Sequence, residues 1–297
     1  MKTESIKEIF TKVNETYNKK VYYNLMYLLI NWIIIIGIIS LSLIYNNIWV
    51  YILSILIIGS RIRGFANLIH EASHGNLIPH NKFLNKIFTN LFLAYPIFTS
   101  FSLYFNSHIL GHHGHFQDKE YDPDMKRYIA VYGNEFVELK EKDYIKKVLS
   151  IRNFIVFSYL YPMRGIFQID ILMTYKYIIL FWSIILSSLY ITDTLNIFIM
   201  FWVVPYFTTY KIIAYIAEVF EHSGLYHLES KIKSTRNIYT NFIMRHLLWP
   251  HGDSYHLVHH LMSNIPGYNL KKANDYLLKN SSIYKSEHSH YYLVNFI

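Results

Sequence analysis

With 297 residues, 53% of them hydrophobic, 18% aromatic and 16% charged, the chain has ample apolar surface to bury, which excludes intrinsic disorder. It has no cysteine, so disulfides, thiolate metal sites, iron–sulfur clusters and cysteine nucleophiles are excluded together, and any bound metal must be held by His, Asp or Glu. The 28 Lys and Arg against 20 Asp and Glu form no cluster dense enough to track a nucleic-acid backbone, and anionic lipid headgroups are the simpler partner.

The apolar residues are bunched along the chain. The forty residues from Val21 to Ser60 include no Asp, Glu, Lys or Arg. At ~1.5 Å per helical residue they reach roughly twice the hydrocarbon thickness of a bilayer, which predicts a helical hairpin turning near Asn46 and Asn47. A second stretch, Tyr177 to Tyr210, holds a single charge, Asp193 between Thr192 and Thr194, and predicts a second, tighter hairpin. The expected spans are about 24–45, 48–69, 176–192 and 195–217. Two shorter apolar runs, Ile87 to Phe105 and Ile151 to Tyr161, are broken by Asn90, Pro96 or Arg152 and read as interfacial or re-entrant helices. Neither turn carries Lys or Arg, so the positive-inside rule predicts that both termini and the middle segment are cytoplasmic, as parts 1–20, 70–165 and 218–297. The long uncharged N-terminal stretch reads as a retained anchor, not a signal peptide. With no internal repeat or linker, the expectation is one all-α membrane-embedded domain over 1–297. It would have four transmembrane helices in two hairpins, interfacial helices and a cytoplasmic helical cap.

Sixteen histidines carry the functional argument. His70 and His74, four residues apart at the end of the second span, share one face of a continuing helix. His108 and His112 repeat that spacing, and on an α-helix His113 points about 100° away from His112. His256, His259 and His260 stand at i, i+3 and i+4, and His222 stands alone after the fourth span. These nine imidazoles, all on the same predicted side, could point at one place. Nine is too many for a tetrahedral zinc and suits two five- or six-coordinate ions, so the expected site is dinuclear. Imidazole suits iron, copper, nickel or zinc, so nitrogen ligation does not choose the element. The remaining His80, His115, His227, His246, His251, His288 and His290 lack such partners, and for most of them a surface role is expected.

His70-Glu71-Ala72-Ser73-His74 also matches His-Glu-x-x-His, in which Glu71 would be the general base of a membrane zinc metalloprotease. That reading leaves the other clusters and His222 without a task. In the dinuclear reading Glu71 supports the site from behind or lies on the helix surface. A transporter would need ligands inside the uncharged spans, where none of the nine falls.

The three clusters resemble the histidine boxes of the membrane fatty acid desaturase and hydroxylase superfamily, HxxxH, HxxxHH or HxxHH, and HxxHH, in that order. His108 to Asp124 is similar to the second box with its acidic Asp122-Pro123-Asp124 tail, and Tyr255 to Leu270 to the third box with an Ile-Pro-x-Tyr-Asn-Leu run. The resemblance covers residues about 60 to 280. Glu221-His222-x-Gly224 resembles the extra His that follows the fourth span in alkane-hydroxylase-like members, while Glu218 stands where stearoyl-type desaturases carry Asn. The resemblance implies a non-haem diiron oxygenase, with two Fe ions and O2 as co-substrate. A fatty acid desaturase acting on an acyl-lipid, acyl-CoA or acyl-carrier substrate is expected first, and an alkyl hydroxylase or carotenoid or acyl-metabolite oxidase is the alternative. Glu218, Glu221, Asp118, Asp122, Asp124 and Asp253 are then candidate acceptors for imidazole N–H groups. An apolar substrate is expected along Tyr95 to Phe105 and Phe198 to Phe207. The chain lacks a cytochrome b5 motif, ferredoxin cysteines and a dinucleotide fingerprint. A separate donor of ferredoxin, rubredoxin or cytochrome b5 type is therefore expected to dock on Lys140, Lys142, Lys146, Lys147 and Arg152, or on Lys231, Lys233 and Arg236.

Overall fold

The structure, a computed structural model, describes residues 6–18, 22–139, 141–166, 171–222 and 224–293. Helix α1 (Ile6–Tyr17) precedes two long apolar helices, α2 (Tyr23–Tyr45) and α3 (Ile48–Ser73). Only Asn46 and Asn47 lie between these two. Asn46 adopts the left-handed conformation at φ 41°, which asparagine tolerates well, and the Asn47 side chain accepts from Trp49 N to cap α3. The two helices then pack side by side.

Next, α4 (Lys82–Thr89) widens into a π-helical turn, Asn90–Ala94, and α5 (Phe101–Phe105) widens likewise over Asn106–His113. The pair is bent by 89° at the Phe98–Ser100 break, where the Ser100 side chain caps α5 by accepting from Leu103 N. Short helices follow: α6 (Pro123–Tyr132), α7 (Glu141–Val148), α8 (Ile151–Ile155) and α9 (Tyr161–Ile166). The third long helix is α10 (Ile171–Ile191). The fourth begins as α11 (Leu195–Phe198), passes through π-helical turns and ends as α12 (Lys211–His222). The C-terminal part comprises α13 (Phe242–Leu248), α14 (His256–Leu261), α15 (Gly267–Asn280) and α16 (Ser282–Glu287). It also holds a departure from an all-α chain: β1 (Asn237–Tyr239) pairs in parallel with β2 (His290–Tyr292), three residues each, stitching the C-terminal segment back onto the helices.

Among the described residues, four helices are long and apolar enough to cross a membrane: Tyr23–Tyr45, Ile48–Ser73, Met173–Ile191 and Leu195–His222. The second and fourth run past their expected ends at 69 and 217, because their polar last turns are buried against protein and need no lipid. Outward-facing Leu29, Ile33, Ile44, Trp49, Ile184 and Tyr190 are each more than 60% exposed, a surface that only an apolar solvent covers at low cost. The inner face is packed by Ile58, Ile62, Phe65 and Leu68 of α3 with Trp32 of α2, whose ring stacks on Trp202 at 5.7 Å.

Several expected donor-docking residues are already engaged. Arg236 is buried, Lys147 pairs with Glu135 and Lys233 with Glu287. Lys146, Arg152 and Lys231 remain exposed, while Lys140 and the side chain of Lys142 lie outside the described residues.

Glycine sets the approach of α3 to the fourth long helix. A Cβ on Gly59 would sit 2.1 Å from Thr209 Oγ1 and 2.7 Å from Tyr210 N. Gly59→Ala is expected to push the helices apart at an overpacking cost of about 1–3 kcal/mol. Thermal unfolding in detergent checks this: the variant should melt earlier, and an unchanged midpoint would contradict the close contact.

Candidate metal centre

All nine predicted histidines converge, in two adjoining groups. The ligand nitrogens of His70, His74, His108, His113 and His259 lie within 4.8 Å of one another, as do those of His112, His222, His256 and His260. His70 and His74 come from the end of α3 and His222 from the end of α12. Helix α14 divides its three: His256 and His260, one turn apart, face the second group, and His259 faces the first.

The middle cluster departs from the α-helical expectation. Residues Asn106–His113 are π-helical, so neighbours five apart share a face, and His108 pairs with His113, Nε2 to Nε2, at 3.0 Å. His112 swings to the second group, 3.3 Å from His260 Nε2. One widened turn thus serves both groups.

The donor geometry suits metal ions. Nε2–Nε2 separations in the first group are 2.9 Å for His70–His259, 3.0 Å for His108–His113 and 3.1 Å for His113–His259. In the second they are 2.9 Å for His222–His256, 3.1 Å for His256–His260 and 3.3 Å for His112–His260. Two nitrogens ~2.1 Å from one ion stand ~3.0 Å apart at right angles and ~3.4 Å apart in a tetrahedron. Most of these separations match the right-angled arrangement of five- and six-coordinate ions.

Behind the rings, His112 Nδ1 donates to Asp122 Oδ1 at 3.0 Å and stands 3.3 Å from Asp124 Oδ2. Asp122 is fully buried, caps α6 through Asp124 N and Met125 N, and accepts from Gln117 N. It fixes the tautomer that turns His112 Nε2 toward the centre. Glu71 is buried rather than on the helix surface. Its Oε2 accepts from Asn24 Nδ2, Asn76 Nδ2 and Gly267 N, tying the end of α3 to α2 and to the start of α15. With that oxygen spent on three donors, Glu71 is a strut, and both histidines of its motif belong to the five-imidazole group.

Other expected imidazole partners do something different. Asp118 caps its own turn through Glu120 N and Tyr121 N. Glu221 and Asp253 pair with Arg63, and Glu218 pairs with Arg127. Glu221 does approach His256, with Oε2 3.8 Å from Nε2, but on the ring's inward side. Sequence reasoning missed Arg63 and Arg127. Arg63 lies two turns before His70 on α3 and Arg127 one turn after Asp124 on α6, spacings that share a face. Outside both groups, His115 is exposed against Tyr121. Half-buried His251 stacks on Tyr27 and is 3.0 Å, through Nε2, from Asn31 Nδ2.

A cavity of about 200 Å³ adjoins the imidazoles. It is not the expected apolar passage: the aromatics of Tyr95–Phe105 and Phe198–Phe207 mostly pack on one another, with Trp182 and Trp202 donating to the carbonyls of Tyr95 and Pro96. Only Tyr104 of these reaches the cavity.

The fatty acid desaturase family model matches residues 46–292, a region holding all nine of these histidines and the helices that present them. The chain belongs to the fatty acid desaturase family. A dihydrorhizobitoxine desaturase from Bradyrhizobium elkanii is similar to it, 35% identical over 238 residues that cover 76% of this chain and 67% of that protein. The chain is therefore an oxidoreductase, with apolar helices that fit a membrane protein and imidazole clusters that fit metal binding.

Burial, reinforced by neighbouring imidazoles, holds the pKa values of His256, His259 and His260 well below the usual 6.5. Below about pH 6.5 the unfolded chain takes up protons that the folded chain refuses, so the stability these residues allow is present above that value and lost on acidification. Denaturation of the metal-free protein should show a lower midpoint at pH 5.5 than at pH 7.5; an equal or higher one would contradict their burial as neutral rings.

Proposed function

We propose that the nine imidazoles hold two iron ions, five on one and four on the other, and that the chain desaturates its substrate. The observation that carries this is the pairing of two adjoining imidazole groups, at right-angled nitrogen spacing, in a chain of the desaturase family. Two irons held there would supply the power to oxidise an unactivated carbon with dioxygen. In sum, one dioxygen takes two vicinal hydrogens from the substrate together with two electrons and two protons, leaving a carbon–carbon double bond and two waters.

The chain's own residues supply the frame. Asp122 sets the ring of His112, Glu71 anchors the end of α3, and α14 joins the two groups through His259 and His260. The electrons come from a separate protein, for which ferredoxin, rubredoxin or cytochrome b5 types are candidates. Exposed Lys146, Arg152 and Lys231 offer an acidic donor a complementary surface. The absence of Lys and Arg at Asn46–Asn47 and at Thr192–Thr194 supports a two-hairpin, single-domain arrangement with the histidine-bearing cap and both termini in the cytoplasm. The family name makes an acyl chain the first substrate to test, while the relative is named for dihydrorhizobitoxine.

Iron-loaded protein supplied with a reduced donor, oxygen and an extract of the cells that express it should form a product lighter than its precursor by two hydrogens. His259→Ala, which removes a ligand from the first group, should lower that turnover at least about a hundredfold. A product heavier by one oxygen, or full turnover by the variant, would overturn the assignment.

A further inference from the structure

One aromatic side chain joins the second imidazole group to the protein surface. The Phe116 ring packs on three of that group's four members, with centroids 4.8 Å from His260, 5.3 Å from His112 and 5.5 Å from His222. His260 in turn stacks on His113 of the first group, at 4.8 Å with the planes 18° apart, so both groups are reached through one ring. Phe116, His113 and His260 are each half-buried, and none of them lines the cavity of about 200 Å³, so the surface they keep opens elsewhere. Among the described residues, the other aromatic side chains packed on the nine imidazoles are Tyr104 on His108, which lines that cavity, and Tyr226 on His222, which is buried.

Two loops frame Phe116. The Gln117 side chain donates to the carbonyls of Tyr226 and Leu228, both at 3.2 Å, which holds residues 114–121 against residues 226–231. Exposed Lys119 and Lys231 alternate on these loops with exposed Asp118, Glu120 and Glu229, beside Tyr121 at 59% exposure. A face of both signs suits the brief contacts of redox proteins, which bury less than about 1,200 Å². The other cationic face, exposed Lys146 and Arg152 at the α7–α8 corner, stands further off. From α7 the aromatic route runs over Tyr144, Phe136, Tyr128 and Tyr226 before it meets His222, four rings in place of one.

Electron transfer through protein weakens steeply with the length of the path, so the entry point is where the least material separates a donor from an imidazole. We infer that electrons enter the centre through Phe116, from a ferredoxin-type one-electron donor seated on the 114–121 and 226–231 loops. This rests on the reading of the imidazoles as an iron-binding oxidation centre, and it chooses the Lys231 face over the α7–α8 corner for the donor. Each encounter oxidises one donor and reduces one ferric ion to ferrous, so two encounters supply the two electrons that one dioxygen requires. Lys119 and Lys231 govern how readily the donor is seated, and Phe116 governs how fast the seated donor delivers its electron.

The test is anaerobic reduction of the iron-loaded ferric protein by reduced [2Fe–2S] ferredoxin, set against reduction by dithionite, a small reductant that needs no docking face. Phe116→Leu should lower the rate at saturating ferredoxin at least about tenfold, and Phe116→Tyr, which keeps the ring, should hold it close to the wild-type rate. Dithionite should reduce all three proteins alike, with iron content and reduction potential unchanged. Lys231→Glu should raise the ferredoxin concentration that gives half the maximal rate and leave that maximum in place. Phe116→Leu reacting with saturating ferredoxin as fast as wild type, or slowed equally with dithionite, would overturn the entry route. An unchanged half-maximal concentration in Lys231→Glu, or a wild-type centre that dithionite reduces and ferredoxin does not, would overturn the docking assignment. A protein that binds no iron before any reductant is added would instead sink the underlying reading of the centre.

Discussion

Imidazole nitrogens facing one another at about 3 Å impose the constraint on which the rest of the structure depends. A neutral imidazole has one N–H and one lone pair, so a pair of rings can share a proton, but a ring that meets two others through the same nitrogen cannot satisfy both. His113 Nε2 meets His108 and His259, and His256 Nε2 meets His222 and His260. Protonation would not relieve the mismatch, because each Nε2 would still carry a single N–H, and burial also disfavours charge on the rings of α14. A metal cation at each group satisfies all of them at once. The fold then has to bring together the ends of α3 and α12, one π-helical turn and α14, from positions nearly two hundred residues apart in sequence.

The supporting residues follow from that need. Glu71 joins three elements through one carboxylate oxygen, and Asp122 is at once a helix cap and the partner of His112. Close backbone contact contributes as well: a Cβ on Gly252, whose φ is +94°, would meet the carbonyl of Gly267 at 2.2 Å, so the turn before α14 lies flat on the start of α15. Buried ion pairs such as Arg63 with Asp253 seldom stabilise a fold as well as apolar packing would. Their place here is intelligible as site chemistry, since they set the polarity of the space next to the imidazoles.

Much of this was legible in the sequence. Missing charges marked the four long helices, because a lipid-facing helix cannot carry them at low cost, and eight of the nine converging histidines stood out by spacing, His222 by its place after the fourth span. The division of His108, His112 and His113 between two groups was not legible, since nothing in Asn106–His113 distinguishes a π-helical from an α-helical turn; the two differ by one residue in hydrogen-bond register. Arg63 falls within the expected second span, and the sequence alone gives no sign that it turns inward to the site. The carboxylates at 218, 221 and 253 pair with arginine in the structure, which the sequence could not show because composition cannot tell an imidazole acceptor from an arginine acceptor. Aromatic-rich segments look the same in sequence whether they line a passage or pack, and here they mostly pack.

Iron-edge X-ray absorption on the metal-loaded protein, combined with metal analysis, tests the central claim most directly. The account predicts about two irons per chain, each in a nitrogen-dominated shell at ~2.0–2.2 Å with the outer-shell scattering of several imidazole rings. A single tetrahedral ion per chain, or shells dominated by oxygen, would contradict it.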